Sequence, residues 1–424
     1  MHHVILGAGP AGVIAAETIR KHRGEDRITI IGAEREPPYS RMAIPYLLAG
    51  KIPESGTWLR RDREHFVQQG IEVMQARVTA VDAEARTVTL PSGDRLPFDR
   101  LLIATGSQPA RPPIPGIDLP GVHPCWTLED ARHIMERARP GGRVVQMGAG
   151  FIGCIIMEAL AARGVELVVV EMADRMVPRM MGPVAGTMIK DWCLKQGVRV
   201  FTGTGVEAIE AASPLRVRLS NGQALDADLV ISATGVKPAI GFLEESGITC
   251  LAGVLTDARM QTNVPGIYAA GDCAEAFDKI TGRTIVSAIQ PNAADEARIA
   301  GLNMAGLEAE LATVTYINVL DTLGLVSASF GDWQGAPGGE HAEVTDHEHL
   351  RHLSLRFKDD VMVGANAIGW TQHVGVLRGL IEGQVRLGPW KHRLLEDPTR
   401  IVEAYLGAAQ AQGSWQGPGD ARRR

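Results

Sequence analysis

Apolar positions near the start of the chain arrive in short runs broken by glycine and by one helical stretch. The run His3–Leu6 meets the turn Gly7-Ala8-Gly9-Pro10-Ala11-Gly12. A helix-like pattern from Ala11 to His22 follows, then a second apolar run, Arg27–Ile31, closing at Glu34. Strand, glycine turn, helix, strand predicts a βαβ unit. The same grammar returns about 140 residues later. Val144-Val145-Gln146-Met147 leads into Gly148-Ala149-Gly150-Phe151-Ile152-Gly153, then a helix to about Ala162, then Leu167–Val170 ending at Glu171. Two such units imply two dinucleotide-binding domains.

Between them, Arg77–Val81 and Thr87–Leu90 read as a hairpin, with Pro91-Ser92-Gly93-Asp94 turning into the next strand. Leu101–Ala104 reads as a buried strand ending at Thr105-Gly106, and Leu229–Ala233 before Thr234-Gly235 repeats that ending. Five prolines between Pro109 and Pro120 mark a crossover linker. From about residue 311 the pattern changes to short strands, at Thr313–Val319, Leu325–Phe330, Leu353–Phe357 and Val361–Ile368. Helices at about 370–383 and 391–405 follow, which predicts a separate α+β domain with an antiparallel sheet. From Ala408 onward Gly, Gln, Ser and Arg dominate, and a disordered tail is expected over 408–424.

Composition narrows the field. Glycine, 48 of 424 residues, is about 11% against a usual ~7%, which suits many tight turns, some of them against a ligand. The net charge of −6 gives no footprint for nucleic acid. No run approaches the ~18 apolar residues that span a bilayer. The first strand starts almost at the first residue, leaving no room for a cleavable leader, so a cytoplasmic protein is expected. The five cysteines, Cys125, Cys154, Cys193, Cys250 and Cys273, are far apart. They are expected to be buried free thiols.

The glycine turns carry the candidate chemistry. Glycines between a strand and a helix let the backbone approach a pyrophosphate seated on the helix N-terminus. Glu34, 22 residues after Gly12, is placed to accept from an adenosine ribose. Glu171, 18 residues after Gly153, would bind a free 2′-hydroxyl and repel a 2′-phosphate. Neither Met172 nor Ala173 supplies a cation, so NAD(H) is expected over NADP(H). Arg175 is the dissenting residue, able to reach a phosphate. A third segment, Thr262 to Asp272, ends a strand in Gly271-Asp272 and sets a carboxylate where it can bind a ribityl hydroxyl.

Taken together, these marks resemble the two-dinucleotide flavoprotein family, the pyridine-nucleotide-linked FAD oxidoreductases. The matches are Gly7–Gly12 with Glu34, Phe98-Asp99 before Ala104-Thr105-Gly106, Gly148–Gly153 with Glu171, Ala233-Thr234-Gly235, and Gly271-Asp272. The resemblance implies an α/β fold of two Rossmann-like dinucleotide-binding domains plus a C-terminal α+β interface domain. FAD would lie on 1–112 and 254–309, NAD(H) on the inserted 113–253. Residues 310–407 would then dimerise or join a hetero-oligomer. Cofactor contacts are expected from Gly7, Gly9, Pro10, Ala11, Gly12, Glu34, Arg35, Arg41, Lys51, Val78, Ala104, Thr105, Gly106, Gly271, Asp272, Gln290 and Pro291 on the flavin side. On the nicotinamide side they are Gly148, Gly150, Phe151, Ile152, Gly153, Glu171, Ala233, Thr234 and Gly235.

Within the family, Pro38-Tyr39-Ser40-Arg41, Pro45–Gly50, Gln290–Ala294 and Gly301–Gly306 are most similar to ferredoxin- and rubredoxin-reductase-type and NADH-oxidase-type members. Three departures stand out. The relay cysteine of the oxidase type is matched by Met42, which forms no thiolate. The Ser-Lys of ferredoxin reductases is matched by Pro45-Tyr46, with Lys51 a poor substitute. The glutamate usual beside the nicotinamide is matched by Ile155, and Glu158 lies one helical turn beyond it.

The resemblance implies hydride transfer from NADH to FAD and onward delivery to a small ferredoxin- or rubredoxin-like carrier. It assigns no obligate catalytic side chain. The alternatives are an NADH oxidase or small-acceptor reductase without a cysteine relay, and a flavin-binding subunit of a larger complex. His341, His347, His349 and His352 are read as a polar strand or loop rather than a metal site. Trp370 and Trp390 are read as core or interface, and Arg386, Lys391, His392 and Arg393 as a solvated helix start.

Overall fold

The computed structural model describes residues 1–370 and 372–411. The chain divides into two compact units. The first comprises Met1–Gly148, Ile156–Val168 and Gly205–Val314; the second comprises Ala149–Ile155, Val169–Thr204 and the chain from Thr315 onward.

The first unit is built on a five-stranded parallel sheet in the order Ile267–Ala269, Arg100–Ile103, His2–Leu6, Arg27–Gly32, Ile71–Gln75. Its inner strands are continuous apolar runs because both faces are covered, and Val4, Ile5, Leu101, Leu102 and Ile103 are fully buried. The helix Pro10–His22 opens on proline, whose missing N–H is harmless in the first turn, and closes on Arg20, Lys21 and His22. It crosses the helix Gln290–Met304 so closely that a methyl on Gly301 would stand 3.0 Å from the Ala15 carbonyl oxygen. A second set of parallel strands, Arg143–Met147, Leu229–Ser232 and Val122–Pro124, lies in the same unit. The expected hairpin is present, its first strand starting at Ala80 rather than Arg77. At the head of the proline-rich stretch, Ser107–Pro109 pairs antiparallel with Val236–Pro238.

In the second unit the chain beyond Thr315 forms five antiparallel strands, ordered Ile317–Thr322, Leu325–Gly331, Val361–Ile368, Arg351–Lys358, Glu340–Asp346. The pattern predicted four. Glu340–Asp346 escaped notice because it is an edge strand in which only Ala342 is buried, so it lacks a clear apolar alternation. The helix expected over 391–405 is two helices, Pro389–Glu396 and Ile401–Ala411, interrupted around Pro398, which has no N–H to carry the ladder. The second of these continues through residues 408–411, which composition had assigned to the tail, while 412–424 lie outside the described residues.

The four histidines lie along one hairpin, on the strand Glu340–Asp346, in the turn after it and on the strand Arg351–Lys358. His341 and His352 sit on neighbouring strands, and the His349 ring pairs with Asp346 at 2.8 Å. Among the described residues no group of His, Cys, Asp or Glu is arranged to hold a metal ion. The basic cluster is largely engaged within the second unit, Lys391 with Glu340, His392 with Glu396, and Arg393 over the Trp390 ring.

Two buried imidazoles give the fold a pH dependence. His3 is fully buried with Nε2 2.9 Å from Asp26, and His352 is buried against the Thr345 hydroxyl. Burial lowers the pKa of both. The unfolded chain therefore binds protons that the folded chain refuses. The stabilisation is complete above the ordinary histidine value of about 6.5 and is lost as the pH falls from there through the lowered folded values. Calorimetric unfolding midpoints should drop on going from pH 7.5 to 5.5. A His3→Gln, His352→Gln double variant should show a flatter slope, and an unchanged slope would contradict this account.

Candidate nucleotide-binding sites

Most of the flavin-side residues singled out by sequence gather at one edge of the five-stranded sheet. The strand His2–Leu6 runs into Gly7–Gly12, Arg27–Gly32 into Glu34, Arg100–Ile103 into Ala104-Thr105-Gly106, and Ile267–Ala269 into Gly271-Asp272. The carboxyl ends of parallel strands are where open α/β sheets bind ligands. Val78 follows Ile71–Gln75 at this edge, partly buried against the core.

The first glycine turn shows two different reasons for having no side chain. Gly7 has φ +118°, and a methyl there would lie 2.1 Å from the Ala104 oxygen. Gly12 would bring a methyl to 2.0 Å from the Gly7 oxygen. Gly9, preceding Pro10 and Ala11 at the helix start, has nothing within 4 Å of its missing Cβ. Two glycines let the backbones pack, and the third leaves a cradle over the helix N-terminus. The second turn repeats the features of Gly7 and Gly9. Gly148, φ +98°, abuts the Ala233 oxygen at 2.3 Å, and Gly150 is open. Thr105 and Thr234, each beside a glycine of positive φ, are tethered to backbone carbonyls, Thr105 Oγ1 to Ala239 at 2.9 Å and Thr234 Oγ1 to Ala110 at 3.3 Å.

Polar groups rim the first cradle. Glu34 accepts from Arg41 Nη2 at 2.7 Å and from the Tyr39 hydroxyl. Arg41 Nη1 also donates to Tyr39 Oη and to the Trp126 carbonyl, both at 2.9 Å, and its guanidinium lies over both rings. Asp272 accepts from the Ser107 hydroxyl at 2.7 Å. Burial pushes the Asp272 carboxyl up, while Ser107 and the Arg41 charge draw it down. Beneath it, Glu296 is 2% exposed and accepts from the Gly271 N–H at 2.7 Å. Burial pushes its pKa up to about 8, against the pull of that N–H, and the nearby Asp272 and Asp295 raise it further. Sequence reasoning missed Ser107, Trp126 and Glu296. Only Glu296 left a signal, an acid among Ala293, Ala297 and Ala300 on the buried stripe of its helix.

The other candidates are more dispersed. Gln290 accepts from the Ser40 hydroxyl at 2.9 Å at the start of its helix, with Pro291 beside it and exposed, as is Arg35. Lys51 is exposed, 3.7 Å from Glu158 and over the Tyr46 ring. The two charged residues standing beside the displaced family positions thus pair with each other. In the second unit, Phe151 and Ile152 begin the helix Phe151–Ala161, which includes Gly153. Glu171 accepts from the N–H groups of Ala149 at 2.7 Å and Ala173 at 2.8 Å, which brings the acid to the glycine turn.

These residues fit two bound dinucleotides. The open Gly9 and Gly150 leave room for a phosphate on a helix N-terminus. A carboxylate offers about four acceptor positions, so Glu34 and Glu171, with two hydrogen bonds each, retain capacity for a ribose. A family model described as pyridine nucleotide-disulphide oxidoreductase matches residues 1–297.

The chain belongs to this family. It is similar to the NADH-dependent phenylglyoxylate dehydrogenase subunit epsilon of Aromatoleum evansii, 32% identical over 404 residues, covering 94% of this chain and 96% of the relative. It is also similar to an NADH oxidase of Methanocaldococcus jannaschii, 33% identical over 321 residues, 73% and 71% covered. Among solved structures, the ferredoxin reductase for the CYP199A2 system from Rhodopseudomonas palustris matches with TM-score 0.79 and 28% identity, over 87% of this chain and 91% of that one. The protein is an FAD-dependent NAD(P)H oxidoreductase.

The disulphide in the family's description has no counterpart among the cysteines of this flavoprotein. All five are free, and four are buried. Burial raises every one of their pKa values, Cys273 to about 11 and Cys193 to about 12. Met42 is half exposed. No helix among the described residues is long and apolar enough to cross a membrane.

The glycine geometry separates binding from folding. Gly9→Ala and Gly150→Ala should cost the apoprotein at most about 1 kcal/mol of stability. A methyl intruding on phosphate contacts should weaken FAD binding in the first, and NAD(H) binding in the second, about tenfold or more. Gly7→Ala and Gly148→Ala, which drive a methyl into a backbone oxygen, should each cost about 3 kcal/mol. Flavin-fluorescence titration, NAD(H) calorimetry and thermal melts distinguish the two classes. Equal effects on stability would refute the distinction.

Proposed function

We propose that this flavoprotein takes a hydride from NADH onto FAD and passes the electrons singly to a small ferredoxin- or rubredoxin-like carrier. Bound FAD supplies the two-electron to one-electron conversion. The residues supply binding and orientation. Gly9 and Gly150 admit the pyrophosphates, Glu34 and Glu171 hold the riboses, and Asp272 holds a ribityl hydroxyl. This reading puts FAD on 1–112 and 254–309, and NAD(H) on 113–253.

The observation that carries the proposal is the coexistence of two open glycine cradles with the lack of a usable thiol. Four cysteines are buried, all five have raised pKa values, and methionine stands where a relay cysteine would be. With no dithiol on the chain to receive a pair of electrons, a one-electron protein acceptor is the simplest outlet. NADH is favoured over NADPH because Glu171 is an acceptor at the ribose position and Arg175 is engaged elsewhere. Five free thiols suit a reducing cytoplasm.

A second reading, a flavin subunit of a larger oxidoreductase, is favoured by the near full-length match to a dehydrogenase subunit. Anaerobic titration with NADH followed by a panel of ferredoxin, rubredoxin and oxygen decides among them. Stoichiometric bleaching of the flavin and carrier reduction about a hundredfold faster than oxygen turnover are expected, a gap of roughly 3 kcal/mol in barrier. Comparable oxygen turnover would favour an NADH oxidase. Bleaching with no transfer to any free acceptor, together with a co-purifying partner, would favour the subunit.

A further inference from the structure

The choice between NADH and NADPH leads to a buried residue of the C-terminal sheet. Beyond Glu171 the chain folds into an irregular segment, 172–182, before the helix Pro183–Lys195. Arg175 and the exposed Arg179 are the cations of this segment, and Arg175, four residues from Glu171, is the nearer in sequence to that acid. All three guanidinium nitrogens of Arg175 are engaged locally. Nε donates to the Met181 carbonyl at 3.0 Å, Nη2 to Pro178 at 3.4 Å, and Nη1 pairs with Asp174 at 2.7 Å. Its stem lies against the helix, since a methyl on Gly186 would stand 3.0 Å from both Arg175 Cβ and Cδ.

The backbone on either side of the Met181 carbonyl that accepts from Arg175 is itself held, at Met180 and at Gly182. Asn366 Nδ2 donates to the Met180 carbonyl and Asn366 Oδ1 accepts from the Gly182 N–H, both at 3.0 Å. A carbonyl on one side and an N–H on the other fix which way the amide faces. Asn366 is 3% exposed and lies on the central strand Val361–Ile368, paired to Ser329 on one side and Ser354 on the other. The segment has a second anchor, the Val177 N–H donating to the Ala149 carbonyl at 2.8 Å, with Val177 at φ +49°. A β-branched residue at positive φ persists only where its surroundings overdetermine it.

We propose that Asn366 is a specificity-determining positioning residue, which clamps 180–182 so that Arg175 stays folded onto its own loop and the coenzyme choice rests with Glu171. The proposal rests on the reading of Glu171 as the ribose acceptor. Releasing the clamp frees a guanidinium within a few residues of that acid, and a guanidinium is suited to a bidentate phosphate contact.

The test uses the purified holoenzyme and two adenosine half-probes that do not involve the flavin, 2′,5′-ADP and 5′-AMP, with affinities measured by calorimetry. The wild type should prefer 5′-AMP. Asn366→Ala should raise the relative affinity for 2′,5′-ADP about fivefold, and the NADPH-to-NADH ratio of kcat/KM should move the same way. Asn366→Asp, which keeps the acceptor for Gly182 but not the donor to Met180, and Asp174→Ala, a surface change that frees Nη1, provide folded variants of the same test. All gains should vanish in an Arg175→Ala background.

A purely structural role would weaken both probes equally and leave the ratio unmoved, which overturns the proposal. A wild type indifferent to the 2′-phosphate overturns the NADH reading beneath it. A wild type that prefers 5′-AMP, with ratios unmoved in the Asn366 variants, overturns the proposal alone.

Discussion

Two backbone carbonyl oxygens, those of Ala104 and Gly7, set the geometry on which the first glycine turn depends. Each lies about 2 Å from where a glycine Cβ would be, on Gly7 and Gly12 respectively. A strand exit, a helix start and the exit of the neighbouring strand thus pass at distances that no side chain permits. That approach is what leaves the helix N-terminus open at Gly9 rather than filled. The contact of Gly7 with Ala104 and the opening at Gly9 recur at Gly148 with Ala233 and at Gly150, so the same steric solution is used twice.

The polar groups around the first cradle form a connected path. Arg41 donates to the Trp126 carbonyl, the Trp126 ring N–H donates to the Ser107 carbonyl, and the Ser107 hydroxyl donates to Asp272. At its other end Arg41 binds Glu34 and Tyr39. A planar fork that also stacks on aromatic faces can serve these partners together, and an ammonium cannot. Asp130 accepts from the N–H groups of both Trp126 and Thr127, a capping box that fixes where Trp126 stands. The two carboxylates expected to hold cofactor hydroxyls are therefore oriented by one shared set of contacts.

The second unit solves a different problem. Its central strand carries a buried amide, costly to leave unpaired, and both ends of that amide meet backbone groups of the segment beyond Glu171. Trp192 makes a parallel tie, its ring N–H reaching the Thr322 and Leu323 carbonyls at 3.1 Å. A sheet distant in sequence thereby sets the conformation of a loop next to the second glycine turn.

The sequence by itself determined the two βαβ units, their glycines and their terminal acids, because turn stereochemistry and strand–helix alternation are local and leave a periodic trace. It also determined that no thiol relay stands at Met42. The edge strand Glu340–Asp346, only lightly buried, and the helix interruption around Pro398 were misread, the latter although proline marked it. Tertiary structure alone decided the contacts made across long stretches of chain. These are Arg41 with Trp126, Ser107 with Asp272, Lys51 with Glu158, and Asn366 with 180–182. Each joins residues whose separation carries no periodic signal, and each depends on where folded backbones happen to leave a donor facing an acceptor.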